Sequence, residues 1–176
     1  MPILAIYIIN NINGGSAEVA GIAGGIYWIV KSILQLPIAR YLDKHHNEKD
    51  DYHGMLIGGL ISAWVPIGLL YSSEIWQLYS LQAIYGLGMA LCVPAWGGIF
   101  IRHMDKGKEA STWSIESSLL GIGIGLAGIT GGILVSTFGF IYIFLLVSTF
   151  GALSVIALLF IHNNVKGRDG IIIFHK

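Results

Sequence analysis

The chain has 176 residues, 55% of them hydrophobic and only 11% charged, with a formal net charge of zero and a mean hydropathy of +0.72. A soluble domain carries about a quarter of its residues as Asp, Glu, Lys or Arg, so this chain lacks the charge to cover a surface facing water, and its balanced charge argues against a basic nucleic-acid binder. The single cysteine, Cys92, sits inside an apolar run, which rules out an internal disulfide, and no metal-ligand spacing surrounds it.

Residues 1–9 are apolar but too short to cross a bilayer, whose core of about 30 Å needs roughly 20 residues of helix. The basic residues expected ahead of a signal-peptide core are missing. The stretch reads as the end of a transmembrane helix whose beginning is absent. Five longer apolar segments follow, at about 19–42, 54–71, 76–101, 113–136 and 139–161. Backbone N–H and C=O groups find no water in lipid, so spans of this length are helices, and no alternating pattern suggests a barrel. The expected fold is all-α: a polytopic membrane bundle of five complete transmembrane helices after a partial helix over 1–13. It forms a single transmembrane domain, with a tail over 162–176 and the lipid bilayer as its first partner.

The connections alternate in charge. Residues 10–18, 72–75 and 137–138 contain no Lys or Arg. Nine of the ten basic residues lie on the other side or at its edge: Arg40, Lys44, Lys49, Arg102, Lys106, Lys108, Lys166, Arg168 and Lys176. Positive charge in short loops marks the cytoplasmic face. The expectation is a multi-pass protein of the plasma or inner membrane with its C-terminus in the cytoplasm.

The tenth cation, Lys31, is the most expensive residue in the chain. It lies 11 residues before Leu42, or roughly 16 Å in from the cytoplasmic end at about 1.5 Å per residue. A charge at that depth costs about 2.5–3.5 kcal/mol on insertion scales. Tyr27, Lys31 and Gln35 are spaced i, i+4, i+8 and share a helix face. Either Lys31 faces a watered cavity as an anion contact or coupling charge, or it pairs with another helix or with backbone carbonyls. Glu116 is the second intramembrane charge, about 9 Å or less from its helix start by the same rise. It is either a first-turns carboxylate eased by the helix dipole, a partner of Lys31, or a proton carrier. Three prolines, Pro37, Pro66 and Pro94, lie inside spans and permit bends. The glycines Gly24-Gly25, Gly58-Gly59, Gly97-Gly98, Gly121-x-Gly123-x-Gly125 and Gly131-Gly132 allow close helix contact. Trp76 and Trp113 open their spans as interfacial anchors do. The six histidines all fall in connections or the tail, where a solvated loop is the plainer reading than a metal site. No catalytic pair, phosphate loop, GxSxG or HExxH is present. No enzyme, cofactor or metal is expected.

Three stretches carry a family resemblance. Ala39-Arg40-Tyr41-Leu42-Asp43-Lys44 resembles the first part of the G-x-x-x-D-(R/K) signature between the second and third helices of each half of a major facilitator superfamily transporter. The G-(R/K)-(R/K) that follows in the family is replaced by His46-Asn47-Glu48-Lys49. Gln82-Ala83-Ile84-Tyr85-Gly86-Leu87-Gly88, Pro94-Ala95-Trp96 and Lys106-Gly107-Lys108-Glu109 resemble that family's fourth or tenth helix and its exit. The first-half arginine position is Gln82. Residues 131–144 resemble the turn between the last two helices of a half, without the proline-containing G-P-x-x-G-G of the fifth helix. These departures match the C-terminal half, helices seven to twelve, with the first one truncated.

The resemblance implies transport of a small solute around a midplane site between two halves. It implies cavity roles for Lys31, Tyr27, Gln35, Gln82 and Glu116. It further implies a conformational lock at Ala39, Arg40, Asp43 and Lys44, with Asp43 meeting a helix N-terminus of the opposite half. A lone half lacks one wall, so the chain is expected to be inactive alone and to need its N-terminal half or a second copy. The alternative is a membrane scaffold or assembly subunit that transports nothing.

Overall fold

The structure is a computed structural model that describes residues 2–45 and 48–166, with side chains omitted at Pro2, His45 and 161–166. The tail beyond 166 and the His46-Asn47 step lie outside the described residues. The described chain is helical: α1 Pro2–Asn11, α2 Ala17–His45, α3 Glu48–Leu70, α4 Ile75–Arg102, α5 Glu109–Phe138 and α6 Phe140–Lys166. Five of these helices, α2 to α6, are long and apolar enough to cross a membrane, whereas α1 has 10 residues. At 1.5 Å per residue α1 is about 15 Å long, half a bilayer core.

The helices run past their apolar stretches into the charged connections. Asp43 and Lys44 belong to the last turn of α2, and Glu48, Asp50 and Asp51 to the first turn of α3. Three carboxylates at a helix start meet the positive end of its dipole, which is why a segment that reads as a loop from composition is wound. The opposite end is tied by short polar contacts. Ser16 Oγ accepts the Val19 N–H at 3.2 Å and caps α2. The Asn13 N–H donates to Ser73 O at 2.8 Å, and Asn13 Nδ2 donates to Glu74 Oε1 at 2.7 Å. Gln77 Oε1 accepts the Glu74 N–H at 3.1 Å. The α1–α2 and α3–α4 turns are therefore pinned to each other.

The helix α3 is the hub. It packs on α4 through Gly54 and Gly58, and on α6 through Gly59 and Ala63. A Cβ at Gly58 would overlap the Gly88 carbonyl oxygen and lie 2.8 Å from Cys92 N; one at Gly59 would lie 3.0 Å from Val155. Gly151 faces Ala63 just as closely, and Ser148 Oγ donates to Ala63 O at 2.7 Å across the α3–α6 seam. The contact between α2 and α4 is made at Gly86, where a Cβ would meet Tyr27 O at 2.9 Å. Small residues thus bring these helices to backbone distance, as expected where lipid removes any hydrophobic drive between helices.

Not every glycine serves that purpose. A Cβ at Gly24, Gly25, Gly97, Gly121, Gly123, Gly125 or Gly132 would touch nothing within 4 Å, so the expectation of close contact there is corrected for the isolated chain. Most of these lie on α5, whose residues are nearly all exposed and whose one buried residue is Gly131, packed against Ile3 of α1. Gly121→Ala or Gly125→Ala should accordingly leave the chain as stable as before. A gain of up to about 1 kcal/mol from helix propensity is the upper bound, read by unfolding in mixed micelles.

The core gathers around α1, toward the end opposite the basic residues. Tyr7, Ile8, Ile12, Val19, Val65, Leu69, Leu78 and Phe144 form one buried cluster. The Tyr7 ring sits edge-on to Phe140 and Phe144, and its hydroxyl donates to Leu69 O at 2.6 Å. A helix of 10 residues therefore anchors four others.

Candidate functional site

The residues singled out from the sequence separate into three places. The first is the face of α2. Tyr27 is buried against α4, its ring stacked on Tyr85 with centroids 5.1 Å apart. Lys31, one turn on, is only half-buried, and so is Gln35. The Lys31 ammonium lies over the exposed Trp28 ring, 4.7 Å from its centroid. No ion pair to Lys31 forms among the described residues. A cation–π contact is worth about 0.5–1 kcal/mol at an exposed site and about 2 when desolvated, at most roughly matching what burial of the charge costs on insertion scales. Lys31 is therefore held but not neutralised. Glu116 stands apart on α5, half-buried, and forms no ion pair with Lys31 among the described residues.

The second place is the bundle interior. Gln82, in α4, is 2% exposed. It lines a cavity of about 720 Å³ between α1, α3, α4, α5 and α6, whose walls include Leu4, Met55, Leu69, Trp96 and Phe144. The cavity is mostly apolar. Gln82 Oε1 and Ser62 Oγ, both in its wall, are buried without a hydrogen-bond partner. The space is not sealed: it opens to the outside of the bundle, so lipid can reach it. Sequence reasoning found Gln82 but missed Ser62, because a lone Ser in an apolar run is ordinary in a membrane helix.

The third place is the basic end. Ala39, Arg40, Asp43 and Lys44 occupy the last turns of α2, with Arg40, Asp43 and Lys44 exposed. The strongest electrostatic contact here is one the sequence did not announce. Asp51, whose side chain is 3% exposed, is ion-paired with Arg102, 35% exposed. The pair clamps the start of α3 to the end of α4. Gly98 lies alongside, where a Cβ would come within 3.3 Å of the Arg102 guanidinium. His103 Nε2 lies 3.7 Å from Glu48 Oε1 on the same rim. Asp51 and Arg102 are 51 positions apart, and only the antiparallel pairing of α3 and α4 brings them together. Among the described residues no group of His, Cys, Asp and Glu is arranged to hold a metal ion.

The family model described as Major Facilitator Superfamily matches residues 1–172. No curated protein and no solved structure matches the chain.

Proposed function

Because this chain belongs to the major facilitator superfamily, and so is a multi-pass membrane protein of transporter type, we propose that it is the C-terminal half of a secondary transporter, with the basic end in the cytoplasm. The observation that carries this reading is Lys31, held at mid-span on an open face of α2 with an aromatic ring but no carboxylate beside it. An intramembrane cation is kept at a cost and marks a solute or ion path by default. The exposed α5 and, on α2, the open glycines each leave apolar surface without a neighbour among the described residues. A second half of the transporter, from another chain or another copy of this one, covers that surface and supplies the far wall of the path. Lys31 then meets the anionic group of a small solute. Asp43, exposed at the end of α2, meets a helix N-terminus of the other half, a contact worth about 0.3–1 kcal/mol when exposed and up to roughly 2 when partly buried.

The test is flux. In proteoliposomes the purified chain alone moves none of a panel of labelled small organic anions, and co-reconstitution with the N-terminal half restores uptake. Lys31→Gln in the restored carrier lowers uptake about tenfold or more, the equivalent of losing one charge-assisted contact at the site, with protein level and thermal stability unchanged. Robust transport by the monomeric chain would defeat the half-carrier reading. If Lys31→Gln instead left uptake intact and impaired assembly with a partner, the chain would be a scaffold subunit.

A further inference from the structure

The connection between α1 and α2 carries the only Asn-Gly step in the chain, Asn13-Gly14. We propose that Asn13 is a site of self-modification. Gly14 N attacks the Asn13 carboxamide, and the cyclic imide that forms opens to aspartate and isoaspartate. Glu74 of the facing turn restrains the reaction, and the carboxylate produced unpins the two turns. None of this depends on a solute path along α2.

Four observations lead to it. Both residues are exposed, so water reaches them. Gly14 has φ 74°, a left-handed turn conformation that glycine takes without steric cost, and it has no Cβ to shield its nitrogen. The Gly14 N–H donates to no acceptor among the described residues, whereas its neighbours are engaged: the Asn13 N–H donates to Ser73 O at 2.8 Å and the Gly15 N–H to Ile12 O at 2.8 Å. Among the described residues the Asn13 carboxamide is held by one bond, from Nδ2 to Glu74 Oε1 at 2.7 Å. That bond keeps the carboxamide on the α3–α4 turn, and donation to a carboxylate makes its carbon a poorer electrophile. When the bond opens, the side chain swings to its own backbone, as Asn side chains in turns do. Asn10 and Asn11 lack this setting, because they lie in α1 and precede Asn and Ile.

The reaction needs water and no oxidant. A bond forms between Gly14 N and Asn13 Cγ, the bond from Cγ to Nδ2 breaks, and Nδ2 leaves as ammonia with the proton that Gly14 gives up. Water then adds to one of the two imide carbonyls. Addition at Cγ gives aspartate. Addition at the Asn13 backbone carbonyl leaves Gly14 joined through Cγ, which is isoaspartate, with an extra carbon in the main chain. Either product is a carboxylate, which only accepts hydrogen bonds and repels Glu74 where Asn13 had bonded to it. Isoaspartate also lengthens a turn without slack, since a Cβ on Gly15 would overlap the Ile8 carbonyl oxygen.

The experiment is peptide mapping by mass spectrometry of the full chain, held in lipid nanodiscs and incubated at mildly alkaline pH. The expected result is isoaspartate and aspartate at residue 13, with Asn10 and Asn11 unchanged. In Glu74→Ala the conversion runs about fivefold faster, the factor one net hydrogen bond supplies. Hydroxylamine, which opens the imide, cuts the unaltered chain between residues 13 and 14 and cuts Gly14→Ala far more slowly. Asn13→Asp lowers the unfolding midpoint in mixed micelles, and adding Glu74→Gln restores most of the loss. An asparagine that persists at residue 13 in both the unaltered chain and Glu74→Ala would overturn the proposal. Equal rates of conversion in the two would remove Glu74 as the restraint. An Asn13→Asp chain as stable as the original would show that the new carboxylate leaves the turns pinned.

Discussion

Arg102→Met should cost the folded chain about 3 kcal/mol, the lower part of the range for breaking one side of a buried pair, whereas Asp51→Asn should cost about 1 kcal/mol. The asymmetry follows from exposure. The Asp51 side chain is 3% exposed and the Arg102 side chain 35%. Without Arg102, the carboxylate is left among α3 and α4 with no counter-charge and no route to water. Without the charge on Asp51, the guanidinium turns to solvent and loses little. Unfolding in mixed micelles, followed by tryptophan fluorescence, separates the two. Removing both charges at once, as Asp51→Leu with Arg102→Met, should return the stability to within about 1 kcal/mol of the starting chain, because replacing a buried pair by apolar groups is often neutral. Equal losses in the two single variants would show that the pair is better hydrated than its geometry indicates.

A single methyl at Gly58 should be as damaging as any polar change. Gly58 and Gly88 meet backbone to backbone, and a Cβ on Gly58 has the Gly88 carbonyl oxygen and the Cys92 N–H in its way. Neither obstacle is the end of a flexible side chain, so α3 and α4 must move apart along their whole seam. Overpacking of this kind typically costs about 1–3 kcal/mol, and Gly58→Ala should lie at or above the top of that span. The same substitution at Gly125, which faces open space, is the control. The measurement is the unfolding midpoint of each variant, and similar midpoints for Gly58→Ala and Gly125→Ala would disprove the close crossing. Because the α3–α4 clamp of Asp51 and Arg102 sits at one end of the same seam, Gly58→Ala should also weaken it. The two effects should therefore be non-additive.

Much of this was legible in the residues. Spans announce themselves in a chain with 11% charge, because lipid permits few structures besides helices. The all-helical bundle, its five spans and the preceding short helix all follow from that one constraint, and the family follows from motifs that are each degenerate but stand in the right order. What the residues concealed are facts of pairing. Composition cannot tell Gly58, which a neighbour's backbone touches, from Gly125, which nothing touches. The helix face shared by Tyr27, Lys31 and Gln35 is real in spacing, yet the structure buries Tyr27 against α4 and leaves Lys31 half open. Gln82 belongs to a different compartment from Lys31, and no periodicity within one helix reveals which neighbour its faces will meet.

The position of α5 has a consequence for the order in which the bundle can be built. Apart from the touch of Gly131 on Ile3 and of the Trp113 ring on Phe100 of α4, α5 is held among the described residues by α6, to which the single residue Gly139 (φ 87°) joins it. The bond that secures α6, from Ser148 to Ala63, spans 85 positions. As the chain leaves the ribosome, α3 and α4 can close on each other once residue 102 is in the bilayer, but α5 then has almost nothing to hold. It must wait in lipid until α6 emerges and returns to α3. A chain stopped anywhere between 139 and about 150 would thus release two helices rather than one, and its α5 would be the segment a membrane protease meets first.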